Sequence, residues 1–165
     1  MSYSFTPATM DDIPAVRDLI QKRIEWMDKV GIEQWNKVNY WAVYPVSYFE
    51  EKVRAGELWV LRRKNEDRII GSVVLIDQDD FWAGDDTPAY YIHNLATALD
   101  VKGVGAEIVA LCEDLVRQRG CDRMRLDCTK SSVFLNRYYE EKGYRSVGEL
   151  TAGAYCGIKR EKLLK

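Results

Sequence analysis

The fold is decided by the stretch Leu95-Ala-Thr-Ala-Leu-Asp-Val-Lys102-Gly103-Val104-Gly105-Ala106, where a predicted strand runs into a glycine turn that opens a helix. Glycine lets the backbone come close to a ligand, and the first amides of a helix have no partner within it. Those donors, together with the positive end of the helix dipole, favour a phosphate group. The stretch therefore predicts an anion-binding turn, although an ordinary tight turn has the same local pattern.

Two other phosphate-binding patterns do not fit this turn. A P-loop requires Gly-Lys followed by Ser or Thr, which the sequence lacks. A dinucleotide-binding fingerprint requires a third glycine where this chain has Ile108, and it belongs near the start of a βαβ unit. Neither pattern explains the turn, so it represents either another kind of anion site or an ordinary tight turn.

Apolar periodicity on both sides of the turn predicts a mixed sheet with helices packed on it. A first helix begins near Thr9, whose spacing to Asp12 resembles a capping box, and ends near Gly31. Further helices are predicted at about 47–55, 106–120 and 133–142, and strands at about 57–62, 68–76, 89–96, 123–128, 144–147 and 154–159. The strand at 123–128 alternates, so we expect it to be half-buried. No linker interrupts the pattern, and residues 1–165 are expected to form a single domain.

Composition and charge exclude several functional classes. Lys and Arg number 24 against 26 Asp and Glu, a net charge of −2, which argues against a general nucleic-acid binder. No apolar stretch approaches the roughly 18 residues that a membrane-spanning helix requires. The four cysteines form no CxxC pair and the chain has a single histidine, so we expect no metal site. The N-terminus lacks a signal-peptide pattern, so we expect a reduced, cytoplasmic protein.

A second pattern lies downstream of the turn, Ser132-Val-Phe-Leu135-Asn-Arg-Tyr138-Tyr139-Glu-Glu-Lys-Gly143-Tyr144. With Leu95-Ala96-Thr97 and Gly103-Val104-Gly105, it makes the sequence similar to the GCN5-related N-acetyltransferases (GNAT family), which use acetyl-coenzyme A. The similarity covers nearly the whole chain and is strongest over 90–144. Two positions depart from the family pattern: Asp100 falls where Arg or Gln is usual, and Ser132 stands where Asn is common.

The resemblance implies a GNAT-like fold of the α/β class (mixed α+β), with a central, mostly antiparallel sheet of six or seven strands flanked by about four helices. It implies acetyl-coenzyme A as the cofactor, with its pyrophosphate on the amides of the glycine turn and Lys102 as a source of positive charge. The residues implied to bind the cofactor are Leu95, Ala96, Thr97, Lys102, Gly103, Val104, Gly105, Ala106, Ser132 and Leu135.

Two residues are candidates for the catalytic proton transfers. Amide formation from a thioester requires a neutral amine, whereas a lysine-like amine has a pKa of about 10.4, and the leaving thiolate benefits from a proton donor. The resemblance places Tyr139 at the family's position for that donor. His93 lies two residues before Leu95 on the same strand, where several family members keep a base that usually acts through water. Both assignments compete with a packing role, since either side chain also suits a protein interior.

The acceptor site is expected in the N-terminal half of the chain. Glu25, Trp26 and Trp35 are expected to form one wall, and Phe81 and Trp82 of an acidic loop another. Acids beside aromatic rings suit a cationic amine. The alternative for the loop is a solvated acidic segment that its aromatic residues anchor. We expect a primary amine of a small molecule as the acceptor, and its identity stays open.

These expectations together describe an N-acetyltransferase that works by direct attack of the amine. A covalent route through Cys128 is less favoured, because no second histidine is present to activate it. The departures at Asp100 and Ser132 keep a competing hypothesis open, a non-catalytic module that binds or senses acyl-coenzyme A. An enzyme that uses another acyl group is a third hypothesis. A homodimer through the aromatic tail or a sheet edge is also compatible with the sequence.

Overall fold

The computed structural model describes residues 2–165. Its strands are β1 (Tyr3–Pro7), β2 (Leu58–Arg63), β3 (Ile69–Ile76), β4 (Tyr90–Thr97), β5 (Arg123–Thr129), β6 (Arg145–Ala152) and β7 (Tyr155–Leu163). Its helices are α1 (Ile13–Val30), α2 (Tyr40–Val43), α3 (Val46–Arg54), α4 (Val104–Gln118) and α5 (Val133–Glu141). None of the helices over residues 2–165 has the length and apolar character needed to cross a membrane.

The seven strands form one mixed sheet in the order β1-β2-β3-β4-β5-β7-β6. The pairs β1/β2, β2/β3, β5/β7 and β6/β7 are antiparallel. β4 runs parallel to β5, with Tyr90 opposite Met124 and Tyr91 opposite Arg125. The predicted mixed, mostly antiparallel sheet is therefore confirmed. The sequence did not predict β1, because this short edge strand is only partly buried and ends in Pro7.

The chain is organised as two compact units. The first contains the residues up to Leu75 together with His93–Cys112, and the second contains Ile76–Ile92 together with Glu113–Lys165. Fully buried apolar side chains occur in both, among them Val16, Ile20, Phe49 and Ile108 in the first and Val116, Met124 and Tyr144 in the second.

In the first unit, β3 is the strand against which α4 packs. It is buried from Ile69 to Leu75, as its nearly continuous apolar sequence predicts. Gly71 allows the close approach, because a Cβ built there would lie 2.4 Å from Ile108 Cδ1 and 3.0 Å from Val104 Cγ1. Since both contacts come from the first turns of α4, the glycine determines how near the start of that helix lies to the strand.

In the second unit, β5 is more deeply buried than its alternating sequence predicts. Arg125, on the face expected to be polar and exposed, is only 2% exposed. Its guanidinium donates to Glu161 (2.8 Å), to the Tyr91 hydroxyl (2.9 Å) and to Asp85 (2.8 Å). The expected buried face is confirmed, since Met124, Leu126 and Cys128 are all buried. The expectation of a half-buried strand fails at Arg125, whose charge is tolerated in the interior because each guanidinium nitrogen has a hydrogen-bond partner.

Replacing Gly71 with Ala should destabilise the protein. The added Cβ meets the buried terminal methyl of Ile108, so the free energy of unfolding should fall by about 1–3 kcal/mol. Urea denaturation followed by circular dichroism measures the change. The matched control is Gly71→Ala with Ile108→Val, which removes the obstructing methyl and should recover part of the loss. Equal stability of the wild type and Gly71→Ala would contradict the close approach.

Candidate active site

The glycine turn leads directly into α4, which begins at Val104. Gly103 has a φ of +79°, a left-handed conformation that glycine adopts without strain. The space above it is open, since a Cβ built there would meet no atom within 4 Å. The amide of Glu107 donates to the Gly103 carbonyl (3.1 Å), and the amides before it have no partner within the helix. The turn therefore offers backbone donors at the positive end of a helix, as an anion requires.

Asp100, three residues before the turn glycine, is neutralised by Arg68. Nη1 of Arg68 donates to one carboxylate oxygen (2.9 Å) and Nη2 donates to the other (2.6 Å). The hydrogen bond from Arg68 holds the pKa of the Asp100 carboxyl below its ordinary range, and the same bond raises the pKa of Arg68. This pair could not be predicted, because nothing in a single sequence connects residues that lie 32 positions apart.

β4 carries His93 and the segment Leu95–Thr97, and it is kinked between them. Asn94 has a φ of +52°, in the left-handed region that residues other than glycine rarely adopt. Regular alternation of side chains between the two faces of a strand requires extended backbone at every residue, so His93 and Leu95 are not related by simple alternation across Asn94. The Asn94 side chain is bonded to the hydroxyls of Tyr40 and Tyr48.

α1 contacts the end of β4 through Arg23. Its Nη2 donates to both the carbonyl oxygen (2.8 Å) and the hydroxyl (2.7 Å) of Thr97. The guanidinium also lies over the ring of Trp26, with 4.8 Å between Cζ and the ring centroid, and burial lowers the pKa of Arg23. The Thr97 carbonyl and hydroxyl are therefore already hydrogen-bonded to Arg23, and the Arg23 guanidinium covers one face of the Trp26 ring.

The other predicted acceptor-binding residues of the first unit are Glu25 and Trp35. Glu25 is exposed and accepts a hydrogen bond from Nε2 of Gln21 (3.1 Å). Trp35 is partly buried and opens a short 3₁₀ turn, and its ring lies 5.2 Å from that of Tyr40. The structure thus leaves the Glu25 carboxylate accessible, while the aromatic rings are packed against neighbours on at least one side.

Helix α5 begins at the predicted cofactor residue Ser132. The Ser132 hydroxyl is the N-cap, and it accepts the amide hydrogen of Leu135 (3.1 Å). Asn136, one turn on, donates to the carbonyls of Thr129 (3.1 Å) and Ser132 (2.8 Å). Its Oδ1 accepts from Nη2 of the buried Arg160 (3.1 Å). Asn136 was not among the predicted site residues, although its side chain fixes the start of the helix.

Tyr139 lies in α5, partly buried, with its ring edge-on to those of Tyr138 (5.1 Å) and Tyr144 (6.0 Å). Burial above all, and then the neighbouring Tyr138, Cys128 and Asp127, raise the pKa of the Tyr139 hydroxyl. Among residues 2–165 its hydroxyl meets no hydrogen-bond partner. The phenol therefore stays protonated well above neutral pH and has a proton to donate.

Cys128, at the end of β5, is a poor nucleophile in this setting. The thiol is buried and donates to Oδ1 of Asn136 (3.3 Å). Burial raises its pKa, and the nearby Arg160 guanidinium opposes that effect only in part. A thiol kept protonated does not attack a thioester.

The acidic loop is anchored in the second unit by Trp82. This side chain is 6% exposed, its ring lies 5.7 Å from that of Tyr91, and the Arg125 guanidinium lies 4.5 Å above it. Phe81, by contrast, is 43% exposed. Trp82 therefore anchors the loop, which was the alternative to a role in the acceptor wall. Phe81 remains accessible to a ligand.

The predicted cofactor residues of the first unit come together on one continuous segment. Leu95–Thr97 lie on β4, Lys102 and Gly103 in the turn, and residues 104–106 in the first turn of α4. The remaining predicted residues, Ser132, Leu135 and Tyr139, lie together on α5 and at its cap in the second unit.

Known proteins are similar to this chain in sequence and in fold. The sequence matches the model of the acetyltransferase (GNAT) family over residues 17–144. It is 26% identical over 156 residues to YesJ, an uncharacterized N-acetyltransferase of Bacillus subtilis (strain 168), which covers 89% of this chain and 84% of that protein. The fold is similar to that of a GNAT-family acetyltransferase from Listeria monocytogenes 4b F2365, with a TM-score of 0.80, 19% identity, and coverage of 98% and 95% of the two chains. It is also similar to the PaiA N-acetyltransferase of Thermoplasma acidophilum in complex with coenzyme A, with a TM-score of 0.76, 14% identity, and coverage of 99% of each chain.

The family match extends over the glycine turn, β5 and the whole of α5. The turn itself has the open backbone donors that the pyrophosphate of coenzyme A requires. The chain therefore belongs to the GNAT family of acetyltransferases and is an enzyme that uses acetyl-coenzyme A.

Proposed function

We propose that this enzyme transfers the acetyl group to a primary amine of a small molecule by direct attack of the amine. The observation that carries the proposal is the left-handed turn at Gly103, which opens α4 beneath unfilled space. That turn supports the donor half of the reaction. The acceptor half is supported by the exposed Glu25 carboxylate in the first unit.

Main-chain groups would supply most of the contacts to acetyl-coenzyme A. The amides of residues 103–106 bind the pyrophosphate, and the exposed Lys102 adds a positive charge beside them. The main chain of Leu95–Thr97 accompanies the pantetheine arm as an added strand would. Because Arg68 neutralises Asp100, the carboxylate that replaces the family's Arg or Gln does not repel the phosphates.

In the second unit, the proposed donor contacts are Ser132 and Leu135. The Ser132 oxygen is already an acceptor at the helix N-cap, which leaves its O–H to donate to the coenzyme. Leu135 is partly buried and offers an apolar contact. Asn136 fixes the start of α5 by donating to the carbonyls of Thr129 and Ser132, so the departure at Ser132 is compatible with an enzyme.

The chemistry requires this chain to donate one proton and to accept another. When bound, acetyl-coenzyme A supplies an acyl thioester. Tyr139 is the proposed general acid, and its raised pKa keeps the hydroxyl protonated until the sulfur departs. His93 is the proposed base, and one imidazole nitrogen takes a proton from the amine directly or through water. Direct attack is favoured over a cysteine intermediate because burial keeps the Cys128 thiol protonated.

The proposed acceptor wall is acidic and aromatic. Glu25 attracts a protonated amine, and Trp26 and Trp35 offer ring surface to the rest of the molecule. Phe81 of the acidic loop is an accessible ring, whereas Trp82 contributes as the loop's anchor.

A homodimer belongs to the same proposal and stays a prediction. Light scattering at micromolar concentration tests it.

Replacing Tyr139 with Phe should lower kcat by about 100-fold, since the ring is kept and only the proton donor is lost. The dissociation constant of acetyl-coenzyme A, measured by calorimetry, should change little. Tyr138→Phe is the matched control, because it removes a hydroxyl from the preceding residue of the helix. The kcat of this variant should stay near that of the wild type. Near-normal turnover of Tyr139→Phe would remove this residue from the mechanism.

Replacing Arg68 with Ala should weaken the binding of acetyl-coenzyme A about threefold at low ionic strength, because the Asp100 charge is then uncompensated near the phosphates. The effect should fade as salt is added, since the group is exposed. The double variant Arg68→Ala/Asp100→Ala should bind as the wild type does. Equal weakening in the single and double variants would show that Asp100 is not the cause.

A panel of small-molecule amines tests the acceptor class. Release of free coenzyme A, followed with a thiol reagent, should rise at least severalfold over the amine-free rate with one or more cationic amines. Replacing Glu25 with Gln should raise KM for the best amine more than it lowers kcat, because the carboxylate attracts the substrate without taking part in the chemistry. Stimulation by peptides or free amino acids alone would overturn the small-molecule assignment.

A further inference from the structure

One side chain ties the aromatic segment between Trp35 and Phe49 to β4. Nδ2 of Asn94 donates to the Tyr40 hydroxyl (2.6 Å), and the Tyr48 hydroxyl donates to Oδ1 of Asn94 (2.7 Å). The amide is thus held at both ends by phenol groups that lie 54 and 46 residues before it in the sequence. We refer to Tyr40, Asn94 and Tyr48 as the brace.

The two tyrosines of the brace are themselves fixed. Tyr40 is 3% exposed, and its ring lies 5.2 Å from that of Trp35 and 4.8 Å from that of Tyr44. The Tyr44 ring in turn lies 4.9 Å from that of Tyr48. This series of ring contacts holds the two hydroxyls in place. The Asn94 amide is therefore hydrogen-bonded to groups whose side-chain rotation is restricted.

The brace coincides with a strained backbone position. A φ of +52° is unfavourable for a residue with a Cβ, and such a conformation persists only where its surroundings enforce it. Asparagine adopts this region more readily than most residues, because its short polar side chain forms hydrogen bonds close to the backbone. The two short hydrogen bonds to Asn94 are the contacts that enforce it here.

We propose that Asn94 is a positioning residue of the acetyl transfer. The brace holds the kink in β4 and so sets the directions of the His93 side chain and of the Leu95–Thr97 main chain. It also makes those directions depend on the segment that carries Trp35. The inference rests on the proposed function for the roles of His93 and Leu95–Thr97, and it adds the residue that aligns them.

The double variant Tyr40→Phe/Tyr48→Phe tests the brace with both rings and Asn94 kept. A displacement of about 1 Å in the strand is enough to lower kcat by about 100-fold, so a loss of about 10- to 100-fold is expected at temperatures well below the Tm. Tyr44→Phe is the matched control, because it removes a phenol of the same series and leaves both bonds to Asn94. Its kcat should stay within about threefold of the wild type.

Two substitutions of Asn94 separate positioning from general stability. Asn94→Gly and Asn94→Ala lose the same two hydrogen bonds, but only glycine accepts a φ of +52° without strain. Asn94→Gly should therefore retain a higher kcat than Asn94→Ala, with both measured far below their Tm. A purely structural role for Asn94 predicts equal kcat in the two folded variants, and that result would overturn the proposal.

Hydrogen exchange supplies a readout that needs no acceptor. In the double variant, the amides of residues 93–97 should exchange about tenfold faster or more, the factor expected from losing one or two hydrogen bonds, while those of β2 stay unchanged. Unchanged exchange at 93–97 would overturn the brace even if activity fell. A wild type that neither binds acetyl-coenzyme A nor acetylates any amine would instead sink the proposed function, and the exchange result would still decide the brace.

Discussion

The close approach of α4 to β3 at Gly71 is the constraint on which the donor site depends. Val104 and Ile108 are buried against the glycine, so the first turn of the helix cannot slide along the strand. The amides of that turn belong to the backbone and keep their positions whatever side chains surround them. A helix end fixed in this way suits the proposed pyrophosphate site, because its donors would need no reorganisation when a phosphate arrives.

Charge near the proposed sites is set by pairing rather than by the number of charged residues. Asp100 would oppose a phosphate by itself, but the bidentate contact with Arg68 removes most of its field. In the second unit, the buried Arg160 donates to Asn136 and Glu140 of α5 and to the carbonyl of Tyr144 (2.7 Å). Arg160 therefore fixes α5, the helix that carries the proposed acid Tyr139, through Asn136 and Glu140.

The sequence predicted the parts of the structure that follow from local pattern. The helix that begins after Thr9 has Asp12 Oδ2 accepting the Thr9 amide hydrogen (2.9 Å), and it ends at Gly31 in the left-handed region, as the capping signals require. The glycine turn before α4 was also predicted from local pattern, the glycines between a predicted strand and a predicted helix. Alternation placed Arg125 on an exposed face, because it carries no information about Glu161, a partner 36 residues away. For the same reason, the sequence did not indicate Arg68 or the phenols that hold Asn94.

If main-chain groups recognise the coenzyme, as we propose, the side chains have one quantity left to fix, the direction of the main chain itself. Side chains at Asp100 and Ser132 can then differ from the family pattern, because local partners satisfy them and the backbone donors remain. The kink at Asn94 cannot be left to the backbone in the same way, since its conformation is unfavourable without outside support. The support comes from Tyr40 and Tyr48, in the same part of the chain as the proposed acceptor wall. On the proposed function, a change in that segment that suits a new amine must also preserve the geometry of the strand that carries the proposed base. The choice of acceptor would then be coupled to the rate of transfer.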